Sequence, residues 1–234
     1  MVHIDNITLV LVSPLQRAQQ TYEQLRNGGI AREQQTQQQN PNSPPRPSCF
    51  TQTQARTSGM LVEWDYGDYE GVTTKEILKT RPNWSLFGDN VPNGETVEDV
   101  SARADAIIAL IHNYQRGIDP NGDSTTALTM PKTRIELERQ KSLQNQETVP
   151  ADSAQEGTIL DETNCVQIPT DVGRRDVLVV AHGHFLRVFA ARWLKLNGLE
   201  GRNFVLDTAS VSVLGYEHTL EERVIKVWNS PAHY

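Results

Sequence analysis

Two short runs constrain this chain more than any other feature. Ile7 to Val12 reads ITLVLV, and Val177 to Ala181 reads VLVVA. Both are rich in β-branched residues and show no sustained alternation of polar and apolar positions. That is the pattern of strands buried on both faces, as in parallel sheets covered by helices. Each run leads directly into a helix start. After the first, Ser13-Pro14-Leu15-Gln16 offers a capping serine, a proline at the first helical position and a glutamine that completes a capping box. Leu15, Ala18, Tyr22 and Leu25 then share one helical face, and Asn27-Gly28-Gly29 predicts the helix end. After the second run, His182-Gly183-His184 precedes an apolar helix over 185–195 that stops at Asn197-Gly198.

A further helix is predicted from the Thr96 cap onward, with Val97, Val100, Ala104, Ile107, Ile108 and Ile111 on its buried side. Residues 204–206 with 210–216, and then 224–228, read as later strands. Strands alternating with helices define an α/β protein with a largely parallel sheet. In such sheets ligands bind beyond the carboxyl ends of the strands, where Ser13 to Arg17 and His182 to His184 both fall. Two polar stretches interrupt this order. Residues 33–58 are rich in Gln, Pro, Ser and Thr, and residues 117–174 show no sustained period. Both are expected to be disordered insertions in a single domain spanning 1–234, because they hold too little apolar surface to offset their ordering entropy.

Composition agrees, with 37% hydrophobic residues and a mean hydropathy of -0.51. A net charge of -7 gives no reason to expect a nucleic-acid partner. No run approaches the roughly 20 apolar residues of a membrane span. The opening MVHIDNITLVLVSP has neither a basic leader region nor a small-residue cleavage site, so a cytoplasmic protein is expected. Cys49 and Cys165 lie in the polar stretches and read as free thiols.

Several residues suit chemistry. Arg17 lies in the first turns of a helix whose free N–H groups favour anions; it is either a bidentate phosphate ligand or a solvated surface arginine. His182, followed by Gly183, which lets a ligand approach the backbone, can be a nucleophile, a phosphate donor or a metal ligand, or a satisfied core histidine. His184 forms a His-x-His pair, but His3, His112, His218 and His233 make no ligand cluster with it, so no metal is expected. Glu63, Asp65, Asp68 and Glu70 crowd an aromatic loop, where one carboxylate can serve as a general acid; the alternative is a solvated acidic turn. Arg187 either reaches the site or pairs with an acid. Tyr66 and Tyr69 read as loop packing.

Together these segments resemble the histidine-phosphatase, or phosphoglycerate-mutase-like, superfamily. SPLQRAQQT at 13–21 is similar to its Ser-Pro-x-x-Arg-Ala-x-x-Thr motif, and EWDYGDYEG at 63–71 to its acid-bearing loop. PNGET at 92–96 is similar to a Gly-Glu-Ser/Thr segment before a long helix, and AHGHFLR at 181–187 to an Ala-His-Gly-x-x-x-Arg motif. The acid loop and the AHGH segment also look like the branch containing sedoheptulose-1,7-bisphosphatase.

The resemblance implies a three-layer α/β/α sandwich and a metal-free, cofactor-free reaction on a small phosphorylated metabolite such as a sugar phosphate. A histidine would take the phosphoryl group, Glu63 would protonate the leaving oxygen, and Arg17, His182 and Gly183 would bind the phosphate. It also implies a Leu-x-Arg-His-Gly segment on a strand and helix ahead of Ile7, carrying the nucleophile. Nothing before Ile7 matches that segment, and His3 lacks its neighbours. The expectation is therefore a fold without its first strand and helix, from a truncated gene model or a degenerate homologue. A non-catalytic pseudophosphatase that binds phosphorylated ligands or partners and a phosphoglycerate mutase are the competing functions.

Overall fold

A computed structural model describes residues 7–39, 53, 55–89, 91–117 and 175–231. The elements in chain order are β1 (Ile7–Val12), α1 (Gln16–Gln39), β2 (Ala55–Thr57), α2 (Thr74–Thr80), α3 (Val97–Gln115), β3 (Asp176–Val180), α4 (Gly183–Trp193), β4 (Ser210–Tyr216) and β5 (Arg223–Pro231). β1 is central in a parallel sheet of order β2-β1-β3, and its register to β3 runs from Leu9 opposite Val177 to Val12 opposite Val180.

The side chains of β1 divide between two cores, as a pleated strand requires. Val10 and Val12 pack with Ala18, Tyr22 and Val180 beneath α1. Leu9 and Leu11 face the other way, into a larger cluster with Val100, Ala104 and Ile107 of α3 and Phe185 and Val188 of α4. The result is three layers, with α1 on one face of the sheet and α3 and α4 on the other. The shared apolar faces read from the sequence are the faces buried here. Thr96 caps α3 through a reciprocal bond with Asp99, and a similar box between Thr73 and Glu76 opens α2.

Three sequence expectations change. The first helix does not stop at Asn27-Gly28-Gly29 but continues to Gln39. Two helical glycines cost about 1 kcal/mol each relative to alanine, and the Ala, Arg and Gln residues beyond them are good helix formers. Residues 33–39 of the expected insertion therefore belong to α1, and Ala55–Thr57 forms β2. The rest of that insertion, apart from Thr53 and Ser58, lies outside the described residues, as do Cys49, Cys165, His3 and residues 118–174.

Second, the capping box at Ser13 does not form. The helix begins at Gln16, and the Ser13 hydroxyl accepts only from Leu15 N at 3.3 Å before turning to a distant partner. Third, the later strands do not join the parallel sheet. β4 and β5 form a separate antiparallel pair, because the short connection over 217–222 permits only an antiparallel return. Residues 204–206 are not strand. The two sheets still share one core, since Val177 and Val179 of β3 and Leu214 and Tyr216 of β4 pack on the same α3–α4 cluster.

Candidate active site

The carboxyl ends of β1 and β3 are tied together by Ser13 N donating to Val180 O at 2.9 Å. Ser13 follows β1, and His182 lies two residues beyond β3. Their side chains meet, with His182 Nε2 2.7 Å from Ser13 Oγ. Arg17, one residue into α1, donates from Nε to His182 Nδ1 at 3.0 Å. Ser13 and His182 are buried while Arg17 is exposed. Among the described residues Arg17 makes no salt bridge with a carboxylate. Burial, and then the Arg17 charge, push the basicity of His182 below its ordinary value.

Glu63 reaches the same place from the loop after the turn at Gly59–Leu61. One of its oxygens accepts from Trp64 N and from Phe185 N, both at 2.9 Å, and the other accepts from His184 N at 3.3 Å. The carboxylate thus supplies α4 with the N-terminal partner that its cap residue, His182, does not provide. A Cβ on Gly183 would meet only Glu63 Oε2, at 3.9 Å, so the backbone here stands open toward the acid. The structure brings together all four predicted site residues, Arg17, Glu63, His182 and Gly183.

Behind Glu63 stands a buried ion pair whose arginine no motif in the sequence marks. Arg103 of α3 clamps Glu95 with two bonds of 2.7 Å and donates to the carbonyls of Met60 and Val62 on either side of Leu61. Glu95 in turn accepts from Asp65 N at 3.0 Å, and its carbonyl accepts from the Trp64 indole at 2.9 Å. Arg103 therefore fixes both flanks of the acid loop. Gly67, at φ +48, and Gly94 complete the arrangement: a Cβ on Gly67 would overlap Pro92 O and Gly94 N, and one on Gly94 would overlap Asp65 O.

A second group of side chains rims the site. Tyr66 OH lies 2.7 Å from His184 Nδ1, and that ring tilts on Phe87. Arg187 lies over the other ring contact, 4.7 Å from the Phe87 centroid, and donates to the carbonyls of Gly201 and Arg202. Among the described residues it makes no salt bridge with an acid, one of the two roles the sequence left open. Burial, then the Glu63 and Glu70 charges, raise the Tyr66 phenol and keep it protonated. Tyr66 thus packs at the rim as a hydrogen-bonded phenol. Among the described residues no three His, Cys, Asp or Glu side chains are grouped to hold a metal ion, and no helix is long and apolar enough to cross a membrane.

A cation and an imidazole at parallel strand ends, with a loop carboxylate at the N-terminus of the adjoining helix, suit the binding of a phosphoryl group. Comparison with known families agrees. The model of the histidine phosphatase superfamily (branch 1) matches residues 48–118 and 165–231, and the chain belongs to that superfamily. It is similar to an acid phosphatase of Mycobacterium tuberculosis, 30% identical over 168 residues, which are 72% of this chain and 55% of that protein. It is also similar to the sedoheptulose 1,7-bisphosphatase of Saccharomyces cerevisiae, 26% identical over 200 residues, or 82% of this chain and 49% of that one.

The chain thus spans about half the length of the curated relatives it matches. A solved Mycobacterium tuberculosis protein, described as a functionally characterised open reading frame, superposes with a TM-score of 0.55 at 25% identity, covering 98% of this chain and 75% of that one. A mycobacterial glucosyl-3-phosphoglycerate phosphatase shares the fold, with a TM-score of 0.55 at 19% identity over 96% of this chain and 78% of its own. The phosphoglycerate-mutase-like α/β fold expected from the motifs is the fold found.

Proposed function

We propose that this chain is the phosphate-binding and proton-transfer part of a phosphomonoesterase acting on small phosphorylated metabolites, sugar phosphates foremost. The observation that carries this reading is the convergence of Arg17, His182 and Glu63 at the carboxyl ends of β1 and β3. Arg17 and His182 bind the phosphoryl oxygens and stabilise the charge that spreads over them in the transition state. Glu63 gives a proton to the leaving oxygen as the phosphorus–oxygen bond breaks and a histidine nitrogen takes the phosphoryl group. It then takes a proton from the water that cleaves the phosphohistidine and releases phosphate. The similarity to an acid phosphatase and to a sugar bisphosphatase supports the substrate class.

A second reading has its own observation. The 234 residues contain no Arg-His-Gly segment, and among the described residues no further histidine lies against Arg17 and His182. That favours binding of phosphorylated ligands, without turnover, by these 234 residues. Phosphate release from p-nitrophenyl phosphate and a panel of sugar phosphates, beside a His182→Ala control, separates the two. Turnover abolished by the substitution establishes an enzyme. No turnover, with saturable phosphate binding that needs Arg17, establishes a binding protein. Neither turnover nor binding removes both readings.

A further inference from the structure

We propose that Ser13 is a positioning residue for His182: its hydroxyl lets the imidazole proton move from Nε2 to Nδ1 when an anion enters between Arg17 and His182. The proposal rests on the phosphatase reading for the identity of that anion. A guanidinium has no acceptor, so Arg17 Nε lying 3.0 Å from His182 Nδ1 makes Nδ1 the acceptor. With Nδ1 accepting it carries no proton, so the ring is neutral; burial and then Arg17 act in the same direction, against Glu63. Its single proton is then on Nε2, which donates to Ser13 Oγ at 2.7 Å.

That arrangement does not suit a bound phosphate. A phosphate oxygen seated between the two side chains needs a donor from each, and Nδ1 has none to give. For Nδ1 to gain a proton while the ring stays neutral, Nε2 must lose one, and solvent exchanges the two with no net uptake. Nε2 then becomes a buried acceptor in need of a donor. Ser13 meets both demands because a hydroxyl both accepts and donates. It is fully buried, its backbone N–H is committed to Val180 O, and its position is fixed by the strand end. An alanine there leaves Nε2 bare in the anion-bound state.

The test uses the full chain with ¹⁵N-labelled histidine. His182 signals are assigned with a His182→Gln variant, and inorganic phosphate is added while both ring nitrogens are followed by NMR. In the free chain Nε2 is expected to carry the proton, and phosphate is expected to transfer it to Nδ1. Ser13→Ala should abolish that transfer and weaken phosphate binding about tenfold, the equivalent of one buried hydrogen bond, while Ser13→Thr restores both.

Arg17→Met, at an exposed position, should let the free-state proton distribute over both nitrogens, and it reports on the pairing even if Ser13→Ala folds poorly. A proton on Nδ1 in the free chain, both nitrogens protonated in the complex, or an unaltered transfer in Ser13→Ala each overturns the proposal. A free-state proton on Nε2 with no response to phosphate in the wild-type chain instead overturns the phosphatase reading and, with it, the anion-driven transfer.

Discussion

Arg103 shows how one side chain holds a loop in place. It is 3% exposed, and its charge is met by Glu95, itself 8% exposed, and by two carbonyls. Removing one member of such a pair leaves the other as a buried, uncompensated charge, so Arg103→Met should destabilise the chain by about 3–5 kcal/mol. Urea unfolding followed by circular dichroism measures this, and a loss under 1 kcal/mol would show that Glu95 finds water instead. The residue was legible in principle. Arg103 falls three after Val100 and four before Ile107, on the stripe predicted to be buried, and a charge on such a stripe signals a partner. Ser13 was not legible in this way. Its sequence neighbours read as a capping box, while its actual partner, His182, is 169 residues away. The Glu63 carboxylate on the α4 N-terminus was hidden for the same reason, since strand order alone brings them together.

At the scale of elements, the apolar period located every long helix, and the errors fell at their ends. α1 runs through Gly28-Gly29 because nothing there demands a left-handed backbone, and a glycine without that demand only weakens a helix. A Cβ at Gly28 would meet nothing within 4 Å. Gly28→Ala should therefore stabilise the chain by about 0.5–1 kcal/mol, read as a higher urea midpoint with an unchanged slope. A lower midpoint would mean that the helix bends at this position. α4 was read well because its two ends are set by different signals, His182-Gly183 at one and Asn197-Gly198 soon after the other. β4 and β5 were found as strands, but alternation within a strand does not say which sheet it joins.

For the whole molecule, acid is the revealing perturbation. His112 of α3 is buried between Trp193 of α4 and Tyr216 of β4, at 5.8 and 5.5 Å between ring centroids. Burial, and then the charges of Arg223 and Arg116, lower its pKa to about 4; Glu221 acts the other way, and Lys195 adds the smallest lowering. The unfolded chain takes up this proton near pH 6.5 and the folded chain only near pH 4. The stability due to neutral His112 is thus complete above about pH 6.5 and is lost as pH falls toward 4, by about 3 kcal/mol at most. Urea midpoints measured from pH 7 to 4.5 should fall, and His112→Phe should flatten much of that fall. An identical slope in the variant would place the acid sensitivity elsewhere. The layers were legible in the sequence, because buried runs and helical stripes are local; the division of the strands into two sheets was not, because pairing is not local.

That division has a mechanical consequence. Among the described residues no strand ladder joins β4–β5 to the parallel sheet; the hairpin leans on α3 and α4 through Tyr216, Leu214 and the bond from the Trp193 indole to Val224 O. A load applied to the hairpin is borne by side chains alone, one contact after another, whereas the same load on β1 must shear rows of backbone bonds on both edges at once. The molecule has a weak seam built into it, and under tension it should part there first.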